Sequence, residues 1–381
     1  MDFISNPSNQ ELQERLASTI DSIINPLIAS RNKNGLFSRE EWLGLGEAGV
    51  FGLSAPKEFG GLGLGAASTA ILFEFLGSRC DDMGLLFAAG AHAFACVMPV
   101  AEMAGDELKN RCLPGMITGE ITGANAASEE NAGSDLFSME TVFEKQEDHY
   151  VINGKKSYVA NAPNADLLVV YAGSKKNPGF FGTSAFIVEC ESPGVKFEAP
   201  FPMIGLRSMQ ACEVVLENCK IPTENLLGSE GQGGIIFNRC MQWERLGLYA
   251  AYTGAMEKDL DRVIEHARKR KQFGHRISRQ QAVSHRIVGM KLRLESARLL
   301  LYKACSIFDQ GKNSLLESSL AKIAITEAAI QSGLDSLSIF AGEGYKTESG
   351  VSDSLNNALA ALSASGTPDM LREIVAAELR L

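Results

Sequence analysis

The middle of the chain changes from helical to strand-like sequence, and this change limits the folds that the protein can adopt. Between residues 119 and 225, five short runs rich in β-branched or aromatic residues are each bounded by Gly, Pro or Asn, which is typical of strands joined by tight turns. The block predicts a small β-domain, and we expect a closed barrel rather than an open sheet. The runs are Tyr150–Ile152, Leu167–Tyr171, Ser184–Val188, Val195–Phe197 and Glu213–Leu216.

Helical patterns precede this block. In residues 11–30, apolar side chains recur three and four positions apart, which predicts an amphipathic helix. Ser38 and Glu41 are spaced as a capping box at the start of a second helix. The glycine-dense stretch Ala55–Gly65 predicts a loop, and helical patterns resume after it. We therefore expect an all-helical domain over residues 1–118.

Helical patterns also follow the block. Two apolar stripes at helical spacing predict long helices, and long helices with short connections predict a four-helix bundle over residues 226–381. The predicted fold is thus α+β: an N-terminal helical domain, a middle β-barrel domain over residues 119–225 and a C-terminal bundle. The first stripe is Ile287, Met290, Leu294, Ala297 and Leu301, and the second is Leu320, Ile323, Ala324, Ala328 and Leu334.

Composition excludes several classes of function. At 381 residues, the chain is long enough for two or three domains, and its net charge of -10 argues against nucleic-acid binding. The eight cysteines form no C-x-x-C pair, so they predict reduced thiols in a cytoplasmic protein and no metal site. The first residues, M-D-F-I-S-N-P-S, have neither the basic nor the apolar region of a signal peptide.

One run requires a check for a membrane span. Met83–Val100 contains no Asp, Glu, Lys or Arg, and it approaches the length of a spanning helix. However, it contains His92 and is broken by Pro99. We expect a buried helix at a domain junction and no membrane span.

Two segments of the β-domain are suited to close contact with a ligand. Ala124–Asp135 places Gly133 between Ala132 and Ser134, so backbone amides lie beside side chains too small to block a ligand. The second segment, Asn153–Ala162, ends a strand pattern with an aromatic residue followed by small ones.

Together with four further motifs and the helix–strand–helix order, these two segments make the chain resemble the acyl-CoA dehydrogenase family over essentially its full length. The further motifs are P-x-E-x-G-G-x-G within Ala55–Gly65, I-P-T-E-N-L-L-G, R-K-Q-F-G and a closing S-G-T. The resemblance implies noncovalent FAD, a homo-oligomer, usually a tetramer, and oxidation of an acyl thioester beside its carbonyl.

The resemblance also implies which residues line the flavin ring. Asn125–Ser134 and Tyr158–Ala160 would do so. Tyr158 stands where the family commonly has tryptophan, so ring packing is kept. Ala160 replaces the usual threonine and removes a side-chain hydrogen bond.

Further implied cofactor contacts lie in the C-terminal part. Arg270 matches the arginine that reaches the FAD pyrophosphate of a neighbouring subunit, a role suited to a planar guanidinium. Ser338–Gly342 matches a glycine-rich turn near the adenosine half, in which Ser338 and Ala341 depart from the usual Gln and Gly. The implied contacts are Asn125, Ala127, Ser128, Gly133, Ser134, Tyr158, Val159, Ala160, Arg270, Phe273, Gln280, Gln281, Ser338, Gly342, Thr367 and Asp369.

The expected chemistry requires a carboxylate base. Taking the proton next to a thioester carbonyl is most efficient from a dry pocket that raises the pKa of the base toward neutrality. Most of the family has a glutamate just before the closing G-T, where this chain has Ser365. A minority places the base on an earlier helix, at the position of Glu244 in M-Q-W-E-R-L-G-L. We predict that Glu244 is the general base.

The sequence also bears on the thioester carrier. CoA-using relatives commonly have an arginine where this chain has Ala377, which argues against free CoA. Other segments resemble the branch that oxidises L-proline on acyl or peptidyl carrier proteins in natural-product biosynthesis. The implied product is a pyrroline- or pyrrole-carboxyl carrier, with oxygen or an electron-transfer flavoprotein as acceptor. These segments are His92–Pro99, Asn161–Asp166, Gly179–Phe186, Met241–Glu244 and Met290–Glu295.

Between Glu265 and Glu295 the chain has no acidic residue but nine Lys and Arg. This segment either docks an acidic carrier protein by charge complementarity or serves FAD phosphates and subunit contacts; both remain open here. Three alternative functions also remain: a short-chain acyl-CoA dehydrogenase, a non-catalytic binding protein on the same fold, and a flavin oxidase or monooxygenase. The basic residues are Arg268, Lys269, Arg270, Lys271, Arg276, Arg279, Arg286, Lys291 and Arg293.

Overall fold

The computed structural model describes residues 7–30 and 36–381; most of the segment from which we argued that no signal peptide is present lies outside them. The helices are α1 (Pro7–Thr19), α2 (Asn25–Ser30), α3 (Arg39–Glu47), α4 (Ala66–Arg79), α5 (Met83–His92), α6 (Met98–Met103), α7 (Asp106–Thr118), α8 (Gly233–Lys269), α9 (Gln281–Asp309), α10 (Leu315–Phe340), α11 (Val351–Leu359) and α12 (Pro368–Glu378). The strands are β1 (Gly123–Ala126), β2 (Val142–Lys145), β3 (His149–Ala160), β4 (Leu167–Ser174), β5 (Thr183–Glu189), β6 (Val195–Phe197), β7 (Ala211–Pro222), β8 (Leu226–Leu227), β9 (Lys271–Gln272) and β10 (His275–Arg276). The predicted α+β class is confirmed.

The N-terminal helices follow the predicted pattern. α1 continues through a π-helical turn, Ile20–Ile24, into α2, and Leu16, Ile20 and Ile24 are buried. At the start of α3, Ser38 Oγ accepts a hydrogen bond from the Glu41 amide at 3.2 Å, and Glu41 Oε2 accepts one from the Ser38 amide at 2.6 Å. The amphipathic helix and the capping box are therefore confirmed.

One apolar helical run in the described chain, Met83–Met103, is long and apolar enough to cross a membrane, and it is buried throughout inside the protein. The predicted buried helix is thus confirmed, but Pro99 does not break it. A π-helical turn, Ala93–Val97, directly precedes this proline. Because proline has no N–H to give, a turn of wider helix at this point lets the run continue as α6.

His92, at the end of α5, links the helical domain to the sheet. Its Nδ1 accepts a hydrogen bond from the Gly123 amide at 2.9 Å, so Nε2 carries the proton and donates to the Met116 carbonyl at 2.8 Å. Burial lowers the pKa of His92 to about 4. A neutral imidazole therefore fixes the start of β1.

The middle strands form one sheet in the order β6-β7-β3-β2-β4-β5-β8, with β1 pairing in parallel with β4. A single apolar core takes residues from β1, β2, β3, β4, β5 and β7, so the sheet wraps around it. Within the described residues, however, the end strands β6 and β8 do not pair with each other. The prediction of a closed barrel is therefore corrected: the barrel is curled but open. Its edge strands β6 and β8, of three and two residues, each pair with only one neighbouring strand among the described residues.

The C-terminal part contains three long helices, α8 to α10, together with α11 and α12. The predicted α9 stripe is confirmed, since Met290, Leu294, Ala297 and Leu301 are buried. The predicted α10 stripe is wrong at Leu334, which is exposed. α10 packs against α8, α9, α11 and α12, so its buried face is wider than one stripe and includes small and polar residues.

Candidate active site

Glu244 lies in the first third of α8, against the buried apolar run. Its side chain is only 7% exposed. Gly247 lets the helix approach closely, because a Cβ there would lie 2.2 Å from Phe94 Cζ. The neighbouring Trp243 donates from Nε1 to Glu102 Oε1 at 2.9 Å and packs parallel to the Phe94 ring. The helix is therefore held in place directly beside the carboxylate.

Ser365 faces Glu244 from the other side. Its hydroxyl donates to Glu244 Oε2 at 2.7 Å. Burial raises the pKa of Glu244 to about 7, with the Ser365 hydrogen bond and the charge of Arg245 acting in the opposite direction. A carboxyl in this state is near half-ionised at neutral pH, which suits a general base. Glu244 and Ser365, the two positions at which the resemblance implies a base, are thus adjacent in space.

The two predicted flavin segments meet at a bulge in β3. The register of β3 against β7 shifts between Lys156 and Val159, and Tyr158 there has φ 59. The bulge re-aims the side chain, which is 65% exposed. The Ser157 amide bonds to the Ser128 carbonyl at 2.9 Å, so the end of β1 and the bulge form one surface.

A buried ion pair supports this surface from behind, and sequence reasoning missed it. Lys156 Nζ donates to Glu129 Oε1 and to the Ala127 carbonyl, each at 2.9 Å. Glu129 also accepts hydrogen bonds from the amides of Glu140 and Thr141, at 2.6 and 3.0 Å. Four hydrogen bonds therefore tie the loop after β1 to β2 and β3. The sequence did contain a signal for this ion pair, since Glu129 and Lys156 lie within the two small-residue segments.

The surface fits a flavin by three observations. The Asn125 Oδ1 atom is buried and, in the described chain, has no hydrogen-bond partner, so it remains for a ligand. A Cβ at Gly133 would meet nothing within 4 Å, so Gly133 and Ser134 border open space. Tyr158 presents an exposed ring that packs at a tilt of 32° against Phe201, with centroids 5.4 Å apart. Ala127 and Val159 are buried behind this face, and Ala160 is half-buried.

Other predicted residues gather in a second place. Arg270, Ser338 and Gly342 line one groove of ≈ 690 Å³, between the end of α8, the start of α9 and the end of α10. Neither Glu244 nor any predicted flavin-ring contact from the β-domain lines it.

The remaining predicted cofactor residues lie near helix and hairpin ends. Phe273 is at the tip of the β9–β10 hairpin with φ 52 and is 91% exposed. Gln280 and Gln281 lie at the start of α9. Thr367 caps α12, its hydroxyl accepting from the Met370 amide at 3.2 Å, and the exposed Asp369 pairs with Arg372 at 2.9 Å.

Two buried cations that bond to the turn carrying Ser365 were not predicted as site residues. Arg245 is buried and donates from Nε to the Ser365 carbonyl at 3.1 Å. Lys322 is fully buried on α10 and donates to the carbonyls of Ala361 and Gly366 at 2.6 and 2.7 Å. A lysine within an otherwise apolar helical stretch, A-K-I-A-I, was the available signal, since buried lysines without a partner are rare.

Comparison with known proteins points to one family in all three parts of the chain. Acyl-CoA dehydrogenase family profiles match in three parts: the N-terminal domain at residues 6–120, the middle domain at 124–219 and the C-terminal domain at 231–380. The L-prolyl-[peptidyl-carrier protein] dehydrogenase of Pseudomonas fluorescens is 47% identical over 346 residues, which cover 91% of each chain.

Two solved structures are also similar. PigA with FAD and proline has a TM-score of 0.97 at 36% identity, covering 100% of both chains. The prolyl acyl carrier protein oxidase AnaB has a TM-score of 0.94 at 37% identity, covering 99% of this chain and 100% of AnaB.

Proposed function

The chain belongs to the acyl-CoA dehydrogenase family, and on this basis we propose that it is an FAD-dependent dehydrogenase that oxidises an L-prolyl group held as a thioester on a carrier protein. Relatives named for this reaction or for FAD and proline support the substrate and the cofactor. The observation that carries the proposal is the buried Glu244 carboxyl, whose pKa is raised to about 7.

The residues divide the chemistry between them. Glu244 takes the proton from the carbon beside the thioester carbonyl, because a desolvated carboxylate with a pKa near neutrality is both ionised and basic enough to do so. When bound, FAD supplies the acceptor for the hydride. Asn125 and Tyr158 would hold the flavin through the free amide oxygen and the exposed ring. Glu244 is buried beside core residues of α8, which limits the access of water to the base.

The basic segment is better suited to cofactor or subunit contacts than to carrier docking in the same chain. Lys269, at the end of α8, lies about 37 Å from Glu244 along the helix axis at a rise of 1.5 Å per residue. A phosphopantetheine arm reaches over a shorter distance. The groove at Arg270 also opens in this segment, so an anionic cofactor is the better-placed partner.

We place that groove against FAD held by a neighbouring copy, within a homotetramer. The support is the separation already described: Arg270 lines a groove that includes neither Glu244 nor Asn125 nor Tyr158. Two chains that each contribute one of these surfaces to an extended cofactor would explain this separation. We also place the protein in the cytoplasm, supported by eight free cysteines, seven of them buried.

The proposed function is tested by anaerobic reduction of the purified flavoprotein. We expect L-prolyl carrier protein to bleach the flavin absorption, whereas short-chain acyl-CoA leaves it unchanged. Glu244→Gln is expected to bind flavin normally and to lose bleaching by at least 100-fold, the lower range for general base catalysis. Bleaching by acyl-CoA instead would assign the alternative, a short-chain acyl-CoA dehydrogenase activity. Full activity of Glu244→Gln would show that Glu244 is not the base.

The same samples identify product and acceptor. Mass spectrometry of the carrier distinguishes a pyrroline, which has lost two hydrogens, from a pyrrole, which has lost four. Admitting air to the reduced protein separates the two acceptors. Rapid recovery of the oxidised flavin spectrum in air identifies oxygen as the electron acceptor. Recovery only after an electron-transfer flavoprotein is added identifies that flavoprotein as the acceptor.

A further inference from the structure

The turn between α11 and α12 faces the base and is held by side chains from two other helices. Lys322 of α10 donates to the carbonyls of Ala361 and Gly366, at 2.6 and 2.7 Å. Its two bonds therefore close the turn at both ends. In the described chain no carboxylate pairs with this lysine, although it is fully buried. Burying an unpaired cation is costly, so packing alone does not explain its presence.

α8 holds the middle of the same turn. Tyr249 donates from its hydroxyl to the Ala364 carbonyl at 2.8 Å, and Arg245 donates from Nε to the Ser365 carbonyl at 3.1 Å. The Lys322 ammonium also lies 5.4 Å from the centre of the Tyr249 ring. Side chains of α8 and α10 thus fix consecutive carbonyls of one short segment.

The fixed segment adopts a backbone conformation that its sequence does not favour. Ser365 has φ 54, in the left-handed region that residues with a Cβ rarely adopt. Such a conformation persists only where the surroundings impose it. Its result is visible: the Ser365 hydroxyl lies 2.7 Å from Glu244 Oε2 and donates to it.

We propose that Ser365 and Lys322 are positioning residues for the base: Lys322 holds the turn, and the turn directs the Ser365 hydroxyl at Glu244, keeping that carboxylate aimed and ionised. This inference rests on the proposed role of Glu244. A hydrogen bond to the charged form of a carboxylate favours that form. The position that supplies the base in most of the family therefore supports the relocated base here.

Among the described residues, no side chain other than Ser365 hydrogen-bonds to the Glu244 carboxyl, and Arg245 is the charged group beside it. Burial raises the pKa of the neighbouring thiols and phenols well above their usual values, so they are neutral at neutral pH. Burial and the charge of Arg245 lower the pKa of Lys322 to about 7, and both its protonated and neutral forms donate. The titratable or charged groups around Glu244 are Cys96 from the π-helical turn, Tyr171 from β4, and Cys240, Arg245 and Tyr249 from α8. Lys322 from α10 interacts electrostatically with Arg245.

The test is the pH profile of single-turnover flavin reduction by L-prolyl carrier protein. In Ser365→Ala, we expect the acid limb to move to higher pH by about one unit, the size of one hydrogen bond to a charged group. The rate above the limb should match the wild type. Ser365→Gly, which also relieves the φ strain, should show the same shift. Lys322→Met should move the limb in the same direction.

Ser363→Ala is the matched control, because Ser363 lies in the same turn and donates only to the Ala360 carbonyl at 3.3 Å. The acid limb of the Ser363→Ala pH profile should stay at the wild-type position. Infrared spectroscopy gives a readout without turnover: the carbonyl band of protonated Glu244, identified by its absence in Glu244→Gln, should persist to higher pH in Ser365→Ala.

The outcomes separate the two claims. An inactive wild type would refute the proposed function, while the infrared titration would still test this inference. An active wild type with an unmoved limb in both Ser365 variants would overturn the inference alone. So would a loss of rate by the same factor at every pH, which indicates a merely structural role. If Lys322→Met fails to fold, the Ser365 variants decide.

Discussion

Glu244 owes its chemistry to its surroundings. The same glutamate on an exposed helix face would have an ordinary pKa near 4.5. Here it lies between α8, the apolar run and the turn at Ser365, and burial raises its pKa to about 7. Its ionised form is therefore costly in the folded protein, and that cost has a measurable dependence on pH.

We predict that the stability of the wild type, measured against Glu244→Gln, falls as pH rises from about 4.5 to 7. Below pH 4.5 the Glu244 carboxyl is protonated in both the folded and the unfolded protein. Between the two pKa values the unfolded chain has released it and the folded protein has not, so rising pH favours unfolding by about 3 kcal/mol in total. Urea denaturation of both apoproteins across this range measures the difference. Parallel curves would contradict a raised pKa.

At the scale of elements, several segments are held in backbone conformations that sequence propensity opposes. Ala341, at the end of α10, is one of them, with φ 52 and ψ -131. A residue with a Cβ in such a sparsely populated backbone region costs about 1–3 kcal/mol. The groove at Arg270 is lined in part by this strained turn.

Ala341→Gly is therefore expected to stabilise the protein by about 1 kcal/mol, because relief of strain outweighs the added freedom of the unfolded chain. Calorimetric unfolding temperatures measure the effect. Ala360→Gly provides the control, since Ala360 has helical angles, φ -60 and ψ -30, and should lose about 0.5–1 kcal/mol. A lower unfolding temperature in both variants would show that Ala341 is not strained.

At the scale of the whole molecule, the predicted cofactor residues form two surfaces, one around Asn125 and Tyr158 and the other around Arg270. If each complete site takes one surface from each of two chains, defects in different chains should complement one another. Two variants with single defects are sufficient to test this arrangement.

Glu244→Gln and Arg270→Glu chains are each expected to be nearly inactive alone. When co-expressed with different tags and purified through both, their paired subunits should regain activity, because one site of each pair combines an intact Glu244 with an intact Arg270 from its partner. Turnover per flavin measures the recovery. The reciprocal control pairs the wild type with a chain carrying both substitutions, which should be inactive as a pair. Activity in the control and not in the first mixture would show that Arg270 acts within its own chain.

Much of this architecture was readable from local sequence. Periodicity of apolar residues placed the helices, and alternating runs placed the longer strands, because both patterns depend only on near neighbours. The short strands β1, β2 and β8 were missed, since runs of only two to four residues carry little pattern. Leu334 was misplaced because only the packing of neighbouring helices decides how wide a buried face is.

The sequence, read with the family resemblance, predicts Glu244 as the base, because Ser365 stands where a glutamate is expected and a second position holds one. What only the tertiary structure decided is that these two residues, more than a hundred positions apart, share a hydrogen bond, and that Lys322 donates to two carbonyls of the turn that carries Ser365. Local patterns carry no information about which distant side chains meet. The proton affinity of a carboxyl depends on that meeting and on the exclusion of water around it.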